Sequence, residues 1–126
     1  MQVEQAVQGF IDGANKAFAT GDTQMLRKFT ARACTCLKLA KTVENAWSHG
    51  SIRGAAWTLK STHFIETHGG VATISFVFEE AAYDVVKDGK VESRYKADRV
   101  TVFSQFVLDA GVWRLAEFDT DKVEPR

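Results

Sequence analysis

Val71-Ala72-Thr73-Ile74-Ser75-Phe76-Val77-Phe78 decides how this chain is read. From Thr73 onward, hydroxyl and large apolar side chains alternate, the period of two that gives a β-strand two unlike faces. Two more strand-like runs follow at Val100–Leu108 and Val112–Phe118, separated only by Asp109-Ala110-Gly111. β-Branched and aromatic residues in period two, broken by short glycine turns, predict an antiparallel meander over Val71–Asp119. What precedes it reads as cover for one face of the sheet.

Working outward, Val3, Ala6, Val7, Phe10, Ile11, Ala14, Ala17 and Phe18 recur at three- and four-residue spacing and predict a long amphipathic helix. Thr20-Gly21-Asp22 ends it, with Gly21 suited to the left-handed position and Asp22 able to cap a short second helix carrying Leu26 and Phe29. A third helix starts near Thr35, turns Leu39, Ala40, Val43 and Trp47 inward, and stops at Gly50. Residues 52–66 switch to period two, with Trp57, Leu59 and Ile65 on one face together with Ser61 and His63. The expectation is one α+β domain over residues 1–126. Three N-terminal helices, about residues 3–50, pack on a strongly curved four-stranded antiparallel sheet, about residues 52–121.

Lys87-Asp88-Gly89-Lys90 is the strongest hairpin signal, because Asp-Gly readily supplies two positive φ angles. Closing that hairpin with Val86 opposite Val91 places Tyr83 opposite Arg94, Phe76 opposite Thr101, Ile74 opposite Phe103 and Glu79 opposite Asp98. Like charges directly opposed are unfavourable, and the apolar parity changes at the same level, so a bulge and a bend are expected at Glu79 and Asp98. This register leaves the meander apolar on both faces: Ile74, Phe76 and Phe103 on one, Val77, Val100, Val102 and Phe106 on the other. Helices cover only one face, so the outer face is expected to form a homodimer.

Sixteen basic residues balance sixteen acidic ones, so no long-range field draws in nucleic acid or an anionic membrane. No apolar run approaches the roughly 20 residues of a membrane span, which argues against insertion by this domain. Cys34 and Cys36 are the only cysteines, too few for a disulfide scaffold. Side chains two apart on a helix diverge, so an internal bridge needs Cys34 outside the helix. Buried thiols, a small-ring disulfide and an intermolecular one all stay open. Three scattered histidines, His49, His63 and His68, make no metal-ligand pattern, and no cofactor is expected.

The order helix, short helix, helix and bent meander resembles the nuclear transport factor 2-like superfamily, the cone shared with ketosteroid isomerases and polyketide cyclases. The strings carrying the resemblance are Ala17-Phe18-Ala19-Thr20-Gly21-Asp22, Trp47-Ser48-His49-Gly50 and Gly111-Val112-Trp113-Arg114-Leu115-Ala116-Glu117-Phe118. Ala19-Thr20-Gly21-Asp22-Thr23 followed by paired cysteines also resembles an actinobacterial lipoprotein family. That family carries Cys-x-x-Cys where this chain has Cys34-Thr35-Cys36, one residue shorter. The second resemblance implies an extracytoplasmic lipoprotein trimmed of its leader, which is favoured over a cytoplasmic protein.

The superfamily resemblance implies a cavity between the helices and the concave sheet. Phe10, Trp47, Trp57, His63, Phe76, Tyr95, Phe103 and Phe118 are expected to line it. Isomerase-like chemistry needs a carboxylate base and neutral donors in an apolar pocket. The available groups are Tyr83, Tyr95, Asp98, Asp84, Glu79 and Glu80, with Tyr95 and Asp98 leading. No string matches the isomerase catalytic pattern. The function expected is therefore a non-catalytic, envelope-associated binding domain whose cavity takes a small apolar ligand or a partner segment. A small acid–base enzyme is the alternative.

Overall fold

The apolar stripe of the first helix lies buried along α1 (Val3–Thr20) in the computed structural model, which describes residues 2–120. Asp121, the expected end of the sheet, and Pro125 lie outside the described residues. Gly21 takes φ 81° and closes α1 by donating its N–H to the Ala17 carbonyl at 2.7 Å. The short helix α2 (Gln24–Lys28) follows, its Gln24 N–H donating to Asp22 Oδ1 at 3.0 Å. A single 3₁₀ turn, Thr35–Leu37, leads into α3 (Lys38–His49).

Among the described residues seven strands follow: β1 (Gly50–Arg53), β2 (Trp57–His68), β3 (Val71–Glu80), β4 (Tyr83–Lys87), β5 (Lys90–Tyr95), β6 (Asp98–Asp109) and β7 (Val112–Thr120). All pairings between them are antiparallel, in a four-stranded sheet of order β2-β3-β6-β7 and a three-stranded sheet of order β1-β4-β5. The single four-stranded sheet expected from the sequence is thus corrected to two sheets. Ala81-Ala82 and Lys96-Ala97 interrupt both long strands at one level, and the hairpin beyond them pairs with β1 instead.

The hairpin turn forms as the Asp-Gly dipeptide requires, with Asp88 at φ 52°, Gly89 at φ 78° and Val86 opposite Val91. The expected register fails one residue later. Glu92 is an extra residue on β5, so Val85 faces Ser93 and Tyr83 faces Tyr95 rather than Arg94. The same offset holds through the next pair of strands: Phe76 faces Val102, Ile74 faces Ser104, and Glu79 faces Arg99 rather than Asp98. The anticipated charge clash becomes an ion pair, with Arg99 Nη1 at 3.3 Å from Glu79 Oε2. The bulge relieving it sits at Glu92, and the level of Glu79 and Asp98 is where the two sheets part.

A one-residue shift exchanges the faces of a strand. Val100, Val102 and Phe106 therefore share the buried face with Ile74, Phe76 and Phe78, and Phe103 turns outward at 53% exposure. The outer face is rich in hydroxyl and amide groups, carrying Thr73, Ser75, Thr101 and Gln105 beside Val77 and Phe103. A second bulge, at Lys60 between Leu59 and Ser61, does the same to β2. His63, expected beside Trp57, instead stands exposed opposite Ser75 on the outer face.

Two contacts fasten the helical layer to the large sheet. Asn15 donates its amide to the Trp57 carbonyl at 2.8 Å and accepts the Trp57 N–H at 2.7 Å, pairing a helix side chain with strand backbone. On the far side, Leu115 donates its N–H to the Phe29 carbonyl at 2.7 Å and accepts from Ala31 N–H at 2.8 Å. The chain between α2 and the 3₁₀ turn thereby covers the free edge of β7, which would otherwise present unpaired groups. Cys34, buried at the start of that turn, is joined to Cys36 in a disulfide with Cα atoms 5.0 Å apart. Cys34 thus precedes the helical turn, the placement an internal bridge requires.

Candidate functional site

Between α1, the start of α3 and the buried face of the large sheet lies a cavity of about 280 Å³. Phe10 of α1, Trp57 of β2, Phe78 of β3, Val100 of β6 and Phe118 of β7 form its wall, closed on one side by Cys36 and Leu39. The aromatic rings hold one another: the Trp57 ring lies 4.3 Å from Phe78, 5.2 Å from Phe18 and 6.1 Å from Phe10, while Phe118 lies 5.9 Å from Phe10. Offset and edge contacts of this kind fix ring orientation as well as burying area. The wall is therefore preorganised rather than a gap among mobile side chains.

Two polar residues interrupt it, Glu80 and Thr120. Glu80 faces Trp57 across the β2–β3 ladder, and its Oε2 accepts the indole Nε1–H at 2.9 Å. That bond aims the carboxylate along the cavity wall and leaves acceptor capacity unused, since an ionised carboxylate has about four lone-pair sites.

Three of the eight cavity residues named from sequence meet here: Phe10, Trp57 and Phe118. Phe76 is buried in the core behind them, 6.4 Å from both Phe78 and Phe118. Trp47 packs on the end of α1, donating its Nε1–H to the Phe18 carbonyl at 3.2 Å. His63 and Phe103 are turned to the outer face by the bulges at Lys60 and Glu92. Tyr95 is also placed away from the cavity, half exposed in the small sheet and stacked on Tyr83 with ring centroids 4.6 Å apart. The Tyr83 phenol is pushed above its ordinary value, chiefly by burial and then by Glu80 and Tyr95. Asp98 lies at the junction of the sheets and accepts the Arg99 N–H at 2.8 Å.

The expected catalytic pair, Tyr95 and Asp98, is therefore not assembled at the cone cavity. Glu80, one of several carboxylates noted in the sequence, is the group that reaches it. Its signal was the alternation of β3, which puts Glu80 on the face of Phe78 and Phe76. Leu39 was likewise readable as an inward residue, whereas the expected register put Val100 on the face opposite Phe76, and only the one-residue offset pairs it with Phe78 in the wall. Among the described residues, no cluster of three or more histidine, cysteine, aspartate or glutamate side chains is placed to hold a metal ion. No described helix is long and apolar enough to cross a membrane.

No protein-family model matches the sequence, and no curated protein matches it. Solved structures do. The intermembrane space region of the chloroplast protein ARC6 superposes with a TM-score of 0.68 at 16% identity, over 94% of this chain and 92% of that one. An uncharacterised protein with a cystatin-like fold from Caulobacter vibrioides gives 0.65 at 14% identity, over 97% and 90%. The association domain of CaMKII from C. elegans gives 0.57 at 8% identity, over 93% of each chain. Identities this low speak for architecture and not for activity. The chain has the cystatin-like, nuclear transport factor 2-like fold that its order of helices and strands resembles.

Proposed function

We propose that this chain is a binding domain whose cone cavity takes a compact apolar molecule carrying one hydrogen-bond donor. The observation that carries the reading is the cavity wall, aromatic and aliphatic on most sides with one carboxylate, Glu80, held in place by Trp57. Ligand sites combine largely apolar walls with a few placed polar groups in this way, and about 280 Å³ lies just below their usual range, which suits a compact ligand. The apolar body supplies affinity, and the donor bonded to Glu80 fixes orientation.

The test is a titration with small aromatic and alicyclic alcohols and amines, followed through the three tryptophan indole N–H signals by NMR. The Trp57 signal shifts and saturates, while those of Trp47 and Trp113 stay in place. Val100→Trp fills the cavity and abolishes the effect. Absence of any saturable shift across the panel, or a response that survives Val100→Trp, overturns the reading. Recovery of the compound unchanged fits a binding domain. Its conversion, lost in Glu80→Gln, would move the assignment to the acid–base enzyme, with Glu80 rather than Tyr95 or Asp98 as the base.

Self-association through the outer face belongs to the same reading. It rests on Phe103, exposed at the centre of that face, and on the likeness in fold to the association domain of CaMKII. Placement in the cell envelope rests only on the lipoprotein resemblance. A reading frame encoding a lipid-attachment signal upstream of Met1 in the natural gene would establish it, and an in-frame stop there would remove it.

A further inference from the structure

A second cavity, of about 550 Å³, opens on the opposite side of the 3₁₀ turn, where α2 meets the end of the large sheet. Arg27, Arg32 and Arg114 all line it, together with Thr30 and Asp109. Converging three guanidinium groups on one cleft is electrostatically costly unless anions compensate them, and the whole chain has no net charge to account for a general excess.

The compensation present is partial. Glu44 takes Arg27 in a forked pair, accepting from Nη2 at 2.8 and 2.9 Å and from Nε at 3.1 Å. This leaves the Nη1 hydrogens of Arg27 without a protein acceptor among the described residues. Arg114 donates from Nη1 to the Lys28 carbonyl, and its Nε stands 3.2 Å from Asp109 Oδ2. That approach lacks hydrogen-bond geometry, so the buried Nε–H has no acceptor. Arg32, exposed on the segment that covers β7, has no ion-pair or hydrogen-bond partner among the described residues. Three cations thus share two carboxylates. Two of the guanidinium groups are held rigid by Glu44 and by the Lys28 carbonyl, with donors still unused.

Planar guanidinium forks held in fixed positions match the oxygens of carboxylates and phosphates better than any other common group. We propose that this arginine cleft is a binding site for a small organic oxyanion, a molecule bearing a phosphate or carboxylate group, separate from the cone cavity. The anion sits in the cleft, held by Arg32 and by the guanidinium of Arg114. The volume exceeds what a bare phosphate fills, leaving room for the body of the molecule against Leu37 and Ala31. Asp109 is the competing anion, so the site is weakened by its charge rather than built from it.

That opposition gives the test a sign in each direction. Inorganic phosphate and citrate are titrated separately into the full chain at constant ionic strength, balanced with sodium chloride, while the arginine Nε–H signals are followed by NMR. The Arg32 and Arg114 signals move saturably with at least one of the two, and the stronger probe identifies the headgroup. Arg32→Gln weakens binding by about three- to tenfold, the loss expected for one partly solvated charge-assisted contact. Asp109→Asn tightens it by a comparable factor. Both side chains are exposed or at a turn, so the variants keep the parent melting curve. Linear shifts no larger than those of chloride alone overturn the site. So do affinities that neither substitution changes.

Discussion

Gly13 sits in the middle of α1, where alanine would be the better helix former by about 1 kcal/mol. A Cβ at this position would stand 2.6 Å from the backbone nitrogen of Leu26, so the close approach of α2 needs a residue without one. The clash involves backbone and is not relieved by a rotamer change; overpacking of this kind costs about 1–3 kcal/mol. Gly13→Ala is therefore expected to lower stability in chemical denaturation despite its helix propensity, and a gain would show that α2 yields. Glu44 belongs to the same scale. Its carboxyl is held below the ordinary glutamate value, first by the hydrogen bond from Arg27, then by that from Thr23, against some desolvation. The folded-state value is the lower one, so the contribution is complete above the ordinary value of about 4.5 and disappears as pH falls through the folded value. Melting temperature followed from pH 6 to pH 3 should fall less in Glu44→Gln than in the parent. Equal slopes would show that solvent screens the pair.

The strand is the scale at which one residue decides many faces. Glu92 adds a residue to β5 at the bulge, and every later pairing between β3 and β6 carries that offset. Deleting Glu92 makes the hairpin regular while leaving Glu79 opposite Arg99 and Phe76 opposite Val102. The deletion variant is expected to fold, with a loss within about 2 kcal/mol, as for a local change outside the core. Deleting Thr101 exposes either Val100 or the run from Val102 to Phe106, and is expected to abolish cooperative unfolding. A folded Thr101 deletion with native cross-strand NOEs would contradict this account of register.

At the scale of the whole molecule, the correction of strand faces reduces the apolar area available for a partner. Phe103 remains, 53% exposed opposite Ser75, with Val77 diagonally beside it. If the outer face joins two copies, Phe103→Glu places opposed charges at the centre of the interface. It should convert a dimer to a monomer in sedimentation velocity at micromolar concentration, while far-ultraviolet dichroism stays unchanged. A parent chain that already sediments as a monomer removes this part of the proposal. The molecule also keeps its two cavities apart. The apolar cone lies under α1, and the arginine cleft lies beyond the 3₁₀ turn, with Cys36 on the wall of the first and Leu37 on that of the second. Ligands for the two sites are expected to bind without competing for space.

The sequence by itself determined the helices, the Asp88-Gly89 hairpin and the inward run Ile74, Phe76, Phe78. These depend on local periodicity and on turn chemistry, which neighbours in the chain dictate. It also carried three members of the cavity wall, because Phe10, Trp57 and Phe118 lie on apolar faces of elements predicted correctly. Only the tertiary structure decided that Tyr95, Phe103 and His63 stand away from it. A bulge adds one residue without altering the composition of its strand, so nothing local marks Lys60 or Glu92 as extra. Each is set by what the opposite strand must bury or pair, and that strand can be more than a dozen residues away. The arginine cleft is nonlocal in the same sense, since Arg27, Arg32 and Arg114 come together only when the chain after α2 closes the edge of β7.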